Sequence, residues 1–380
     1  MNILMSADCF YPSQLGGPSN AIYWQAKALT QAGHRVTIVA TSYALPVNTQ
    51  LDKWLSMDCG RVIYTRNPHF YCPIKHIWYG WQAIRNADII HVNSLFYPAS
   101  VVWVLLSRLV KKPVVWSPHG ELSSVALGFR PRLKRVLLKL FRRISGSIWF
   151  HATSAAEAAD IRYQFGPDTH VGEIRNLMEL PVTVAPTHAD STAPRYLLYI
   201  GRLHPIKAID KLIEALGTST LFRHRDFCLL IVGPVSDKPY VQQLHQQVHM
   251  LNLSTRVSFR EAVYGNEKEQ IYANAFLTIL PSHSENFGNV VIESLAQGTP
   301  VVASAGTPWQ LLETERAGSW VNNDPNSLRT AIETYLNMPE DVYQTYRKRA
   351  AELARRQYDS TTNIGLWEQF YEQVALNYTA

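Results

Sequence analysis

Two series of strand-sized apolar runs, each alternating with helical patterns and separated by a stretch with no period, restrict this chain to very few folds. In the first series, apolar runs at 3–7, 36–41, 89–93, 114–117 and 148–152 alternate with helical patterns at 20–32, 97–109, 133–144 and 155–165. Such alternation predicts βαβ units around a parallel sheet. A segment rich in Pro, Thr and Ala, 180–194, breaks the pattern and reads as a linker. Runs at 196–200, 227–232, 257–259, 276–280 and 301–303 then restart it. The 380 residues also exceed what one core usually organises. The expectation is an α/β protein of two doubly wound, Rossmann-like domains, 1–181 and 195–357, joined by a linker at 182–194. The tail, 339–378, is helical by composition and has no strand partner; a C-terminal helix at 358–380 is expected to join the first domain.

Several classes are set aside by composition. Cys9, Cys59, Cys72 and Cys228 show no Cys-x-x-Cys spacing, so neither a disulfide framework nor a zinc site is indicated, and a cytoplasmic setting fits. The start of the chain opens directly into a strand pattern rather than a signal peptide. The longest apolar stretch, 100–110, is about half a membrane span and contains Arg108, so no transmembrane helix is expected. Charge is uneven: residues 1–185 carry a net +9 and residues 186–380 a net −3. A basic first half points to an anionic surface or ligand that it alone contacts.

Ligands of open α/β sheets collect at the carboxyl ends of strands, so the segments that follow strands carry the chemistry. After the first run come Gly16 and Gly17, which let the backbone approach a phosphate or form a plain turn. The spacing is not Gly-x-Gly-x-x-Gly, and no acidic residue stands where a dinucleotide ribose requires one, which argues against a nicotinamide enzyme. His119 follows the run 114–117; it suits a hydrogen bond to a sugar hydroxyl, or to a neighbouring carbonyl. Arg202 and Lys207 follow 196–200, where they can converge on a diphosphate or form a solvated face. Glu285 and Glu293, with seven residues between them, flank a helix start after the run 276–280. The amides of Asn286, Phe287, Gly288 and Asn289 there suit an anion, and each carboxylate can accept two hydroxyl bonds from a sugar or ribose. A capped surface helix with incidental charges is the bland alternative.

Taken in order, Gly16-Gly17, Ser117-Pro118-His119-Gly120-Glu121-Leu122, Gly201-Arg202 with Lys207, and the Glu285 to Glu293 motif resemble the retaining glycosyltransferases of family 4 across essentially the whole chain. That resemblance implies the GT-B fold, two Rossmann-like domains facing an interdomain cleft, and transfer of a sugar from a nucleotide donor with retention of configuration. It implies Glu293 on the ribose hydroxyls, Glu285 with the Asn286–Gly288 backbone on the donor sugar, and Arg202 and Lys207 on the diphosphate. Amides of Asn289 and Val290 add to the diphosphate site, Gly17 approaches it from the first domain, His119 sits at the donor sugar, and the region of Val263 lies near the base. Arg175-Asn176-Leu177 and Glu261 depart from the usual family pattern at the hinge and near the base.

No two aspartates stand two positions apart, so the Asp-x-Asp metal site of other glycosyltransferases has no candidate. No cofactor is expected; the nucleotide-sugar, UDP-linked in preference to GDP-linked, is a substrate. Between Glu121 and Glu157 there is no acidic residue, while Arg130, Arg132, Lys134, Arg135, Lys139, Arg142 and Arg143 surround an apolar series at Leu133, Val136, Leu137, Leu140, Phe141 and Ile144. The apolar series is expected to pack on the sheet and the basic flank to meet an anionic membrane. The reading is a peripheral enzyme on the cytoplasmic face that extends a glycan or lipid-linked saccharide in polysaccharide biosynthesis, without nucleic-acid partners. A sugar-nucleotide epimerase of the same fold, and a non-catalytic nucleotide-sugar or anionic-lipid binding protein, are the alternatives.

Overall fold

The structure is a computed structural model that describes residues 1–13, 17–67, 69–181 and 195–379. Gly16 and the segment 182–194 lie outside the described residues. The chain divides into two compact units, Met1–Glu179 with Asp359–Ala380, and Leu180–Tyr358.

Unit 1 contains β1 (Asn2–Ala7), β2 (Arg35–Thr41), β3 (Trp54–Met57), β4 (Gly60–Thr65), β5 (Ile89–Asn93), β6 (Val114–Ser117), β7 (Ile148–Ala152) and β8 (Val171–Glu173). Their order in the sheet is β3-β4-β2-β1-β5-β6-β7-β8. All pairs are parallel except β3 with β4. β1, β5 and β6 read as continuous apolar runs because both faces of the central sheet are covered. The chain runs from β1 outward to β2, then returns to place β5 on the other side of β1, so the order reverses between β1 and β5.

The C-terminal helix Gly365–Thr379 completes this unit by burying Trp367, Phe370, Tyr371 and Val374 in the core around Ile22, Leu29 and Val115. Gly172 makes room for it: a Cβ there would lie 2.3 Å from the Phe370 ring.

Unit 2 contains β9 (Arg195–Ile200), β10 (Phe227–Val232), β11 (Val257–Arg260), β12 (Leu277–Leu280), β13 (Val301–Ser304) and β14 (Gly318–Val321), all parallel, in the order β11-β10-β9-β12-β13-β14. Its reversal lies between β9 and β12. Both sheets therefore carry a topological switch point, where loops from two adjacent strands diverge and leave a crevice at the carboxyl ends.

Strands β3, β4, β8 and β14 and the helix Ile74–Ile84 add to the elements expected from sequence. β3, β8 and β14 are three or four residues long and part-exposed, so they carry too few apolar positions to show a period.

The basic helix spans Pro131–Ile144, with Pro131 at the position where its missing N–H costs nothing. Its packing corrects the expectation for its apolar series. Leu138, Phe141 and Ile144 are buried, but Leu133, Val136 and Leu140 are about half exposed, at 51%, 66% and 45%. The helix has two apolar stripes, and only one faces the sheet.

Candidate functional site

The switch point of unit 2 is built from two loops. After β9 the chain passes Gly201 and Arg202 into a short 3-10 turn, Pro205–Lys207, which His204 caps by accepting from the Ile206 amide at 3.2 Å. After β12 it passes Pro281 to Gly288 and enters the helix Asn289–Ala296. The His283 amide donates to the Ile206 carbonyl at 2.8 Å, joining the loops through their main chains. Lys207 Nζ pairs with Glu285 Oε1 across the same gap, with 15% and 13% of the two side chains exposed. Ser282 Oγ donates to the same carboxylate oxygen at 2.8 Å. Lys207 holds three donors, so the bond to Glu285 fixes the ammonium while the others remain for a ligand.

Gly306 holds the second loop from below. The Glu285 amide donates to its carbonyl at 2.9 Å, and a Cβ on Gly306 would lie 2.3 Å from the His283 carbonyl oxygen. Phe287 is turned inward against Trp309, ring centroids 5.2 Å apart, and the Trp309 indole N–H donates to the Phe287 carbonyl. Gly288 then adopts φ 84°, a left-handed conformation that favours glycine, and serves as N-cap of the helix. Gly288 has no side chain to cap the helix, and the first-turn amides at Asn289 and Val290 stand at a helix N-terminus, whose dipole suits an anion.

Glu293 lies one turn further in. Lys268 Nζ pairs with its Oε1 at 2.6 Å and the Tyr272 hydroxyl donates to its Oε2 at 2.8 Å. Val263 is buried in the same small cluster as Ile200 and Val232, with Val290 packed against it. Arg202 is exposed, and among the described residues it has no ion-pair partner; the Tyr199 hydroxyl holds its carbonyl at 3.0 Å.

In unit 1 the corresponding ends carry imidazoles that burial keeps neutral, with Asn93 and Ser117 fully buried among them. His119, just after β6, has φ 52°, and Gly120 has φ 80°. A non-glycine residue in that region costs about 1–3 kcal/mol and is held by its neighbours. His119 Nε2 bonds Asn93 Oδ1 at 2.8 Å, and the Gly120 amide donates to the buried Glu157 carboxylate at 2.6 Å. Burial, with a smaller contribution from His151, holds the His119 pKa down to about 3, so the ring is neutral. Glu121 accepts from the Ser94 hydroxyl at 2.8 Å and from the amides of Leu95 and Phe96. Burial, then the Asp8 charge, raises its pKa to about 7, while burial raises Asp8 to about 6. Gly17 begins the helix Gly17–Gln31, and Ser19 Oγ donates to the Ser13 carbonyl at 3.0 Å.

Thus Lys207 and Glu285 come together, Val263 joins Val290, and Glu293 stands apart with its own lysine. Gly16 lies outside the described residues, as stated above. Sequence reasoning passed over Lys268, Tyr272, Ser282, Gly306, Trp309 and Asn93. The only sequence trace of Lys268 and Tyr272 is their spacing of four on one helix, which places them on one face. Among the described residues, no group of three or more His, Cys, Asp or Glu is placed to hold a metal ion.

Residues 15–178 match the model of Glycosyltransferase Family 4 and residues 186–357 that of Glycosyl transferases group 1. An uncharacterized glycosyltransferase of Methanocaldococcus jannaschii is 32% identical over 91% of this chain and 94% of that protein. The chain belongs to the group 1 glycosyltransferases of family 4. Solved structures agree with the fold of this transferase. Sucrose-phosphate synthase from Thermosynechococcus elongatus superposes with a TM-score of 0.77 at 21% identity, covering 98% of each chain. Anabaena HepE in complex with UDP-glucose gives 0.76 at 22% identity, over 98% of this chain and 100% of that one. The transferase has the GT-B fold, two parallel-sheet α/β domains.

Proposed function

We propose that this glycosyltransferase moves a hexose-type sugar, with retention of anomeric configuration, from a nucleotide-sugar donor to a glycan or lipid-linked saccharide. The observation that carries the reading is the Lys207–Glu285 pair at the unit 2 switch point, beside the amide end of the helix Asn289–Ala296. Lys207, Arg202 and the amides of Asn289 and Val290 meet the charge that develops on the leaving diphosphate. Glu285 accepts a donor-sugar hydroxyl and Glu293 the ribose hydroxyls, each carboxylate being held in place by its own lysine. Val263 packs against the base, Gly17 lets the unit 1 backbone approach the diphosphate, and His119 bonds a hydroxyl of the donor sugar. Retention follows from same-face attack, in which the acceptor oxygen bonds the anomeric carbon as the bond to phosphate breaks and the leaving phosphate oxygen takes the acceptor proton. Basic groups and amides carry out the electrostatic work, so transfer is metal-independent. UDP is favoured as the nucleotide, a reading supported by the likeness to a protein solved with UDP-glucose.

The same reading places the enzyme on an anionic membrane surface. Among the described residues, no helix is long and apolar enough to cross a membrane. The helix Pro131–Ile144 instead presents Leu133, Val136 and Leu140 beside Arg132, Arg135 and Lys139, none of which pairs with a carboxylate among the described residues. An exposed apolar stripe flanked by cations suits the headgroup boundary, where each Lys or Arg contributes about 1 kcal/mol.

A thermal-shift panel of UDP, GDP, ADP and dTDP, followed by transfer assays in excess chelator, tests the donor half of this reading. UDP should give the largest shift and transfer should persist in chelator; loss of activity restored by magnesium or manganese would sink metal independence. Sedimentation with anionic and neutral vesicles tests the membrane half. Equal binding to both, unaffected by changing Arg132, Arg135, Lys139 and Arg142 to Glu, would remove it.

A further inference from the structure

We propose that Asn93 is a positioning residue that holds His119 in its Nε2–H tautomer, leaving Nδ1 as a hydrogen-bond acceptor that selects a donor sugar bearing a hydroxyl over one bearing a carboxylate. The proposal rests on the reading above that His119 meets the donor sugar.

Asn93 is fully buried at the end of β5, between β1 and β6. Its Nδ2 donates to the Ser6 carbonyl at 2.9 Å. A carbonyl can only accept, so this bond fixes which way the amide faces. Oδ1 therefore faces His119, 2.8 Å from Nε2, and must receive a proton from it. A neutral imidazole has one N–H, so Nδ1 carries a lone pair.

The surroundings keep the ring neutral and the assignment consistent. His151 lies with its ring centroid 6.5 Å from that of His119 and is itself held neutral, its pKa lowered to about 4 by burial. Its Nε2 donates to the Ile174 carbonyl at 2.8 Å, so its Nδ1 accepts from the Ser117 hydroxyl, also at 2.8 Å. Ser117 in turn accepts from His91 Nε2 at 2.6 Å, and His91 Nδ1 accepts from the Tyr371 hydroxyl at 2.7 Å. Every proton in this chain is accounted for with His91, His119 and His151 all protonated on Nε2. The nearby acids are occupied: Glu157 with Gly120 and Thr153, and Glu121 with Ser94, Leu95 and Phe96. The left-handed backbone at His119 and Gly120 is held from both sides by Asn93 and Glu157, which fixes the ring's direction.

A lone pair at Nδ1 completes a bond to a sugar hydroxyl, whereas a carboxylate at the same place sets lone pairs against lone pairs and leaves that acceptor unmatched. A site built around one such bond discriminates by about 100-fold or more. Nitrogen-15 imidazole spectra of the full chain at neutral pH test the tautomer without reference to catalysis; protonated Nε2 and bare Nδ1 on His119 are expected, and protonated Nδ1 overturns the proposal. Asn93→Asp removes the donor to the Ser6 carbonyl and, once its carboxyl is ionised, sets a carboxylate against Nε2 that favours the imidazolium, which turns Nδ1 into a donor. His119 should then titrate in an accessible pH range, and the preference for UDP-glucose over UDP-glucuronate should fall at least about 10-fold below its new pKa. An unmoved titration or an unchanged preference overturns the proposal. Full turnover in His119→Ala, with the unsubstituted chain showing the Nε2–H tautomer, would instead overturn the reading of His119 as a donor-sugar contact.

Discussion

The two sheets end alike in topology and differently in chemistry. At the carboxyl ends of unit 2, the polar groups are ion pairs between partly exposed lysines and glutamates, Lys207 with Glu285 and Lys268 with Glu293. At those of unit 1, they are three histidines that burial holds neutral, with Ser117, Asn93 and Tyr371, beside two carboxyls, Asp8 and Glu121, whose pKa values burial pushes up. Charged ends suit a ligand whose charge changes during reaction, because an oriented ammonium gains most where charge develops. Neutral ends suit a ligand recognised by hydroxyl groups, where direction matters more than field. In the proposed function this contrast separates the diphosphate-binding groups of unit 2 from His119 of unit 1, and each can be broken separately.

The charged half should show the largest effect. Lys207→Ala should reduce transfer by about 100- to 1,000-fold, the scale of losing one oriented charge stabiliser. It also leaves Glu285 without its cation, so Lys207→Ala and Glu285→Ala together should cost less than the two separately multiplied. Steady-state kinetics on the three variants measure this, and wild-type turnover in either single variant would remove the pair from the mechanism.

On the neutral side, His119→Ala should lower kcat by roughly 10- to 100-fold, the worth of one hydrogen bond at the reacting sugar, while affinity for bare UDP stays within about twofold. Equal losses in both would make His119 a structural residue and blur the division. Glu293→Gln should act the other way round, weakening UDP binding by about 10-fold by calorimetry with kcat little changed.

The smallest effect is on stability against pH. Burial holds His76, His91, His119 and His151 below the usual histidine value, with His76 and His119 at about 3 and His151 at about 4. Their contribution is present above about pH 6.5 and is lost as pH falls toward those values, because the unfolded chain binds the protons first. Glu121 and Asp8 act oppositely: their contribution is present below the ordinary carboxylate range and is lost as pH rises through about 7 and about 6. Four imidazoles outnumber two carboxyls, so unit 1 should lose roughly 5–10 °C of melting temperature between pH 7 and pH 5. Eight of the ten tryptophans lie in unit 1, so tryptophan fluorescence follows its melting. A flat or rising melting temperature over that interval would show that the buried histidines are not held neutral.

Much of the architecture was legible because it depends on local pattern. Apolar runs of five or six residues that alternate with helical patterns fit a parallel sheet covered on both faces, and the polar segments after them then lie at one edge. That reasoning reached His119, Lys207 and Glu285 as residues that follow strands, and Glu293 on the helix beyond. It could not reach their partners. Lys207 and Glu285 are 78 residues apart, His119 and Asn93 26, and Lys268 and Glu293 25. No local period links them; only the reversal of strand order at β9/β12 sets the loops of Lys207 and Glu285 side by side. Asn93 in particular reads in sequence as the last residue of an apolar strand.

The helix Pro131–Ile144 shows the same boundary in one element. Its sequence determined an amphipathic, strongly basic helix, because 3.6-residue spacing and the run of arginines are properties of the chain itself. Which apolar stripe is buried depended on what lay beneath it. The sheet and the neighbouring helices took Leu138, Phe141 and Ile144 and left Leu133, Val136 and Leu140 outside. Sequence alone thus determined the two α/β domains, the family and the strand-end positions of the candidate residues, all of which follow from local pattern. Tertiary structure alone decided which charges meet, which imidazole nitrogen keeps its proton and which apolar stripe stays exposed, because each depends on a neighbour distant in the chain.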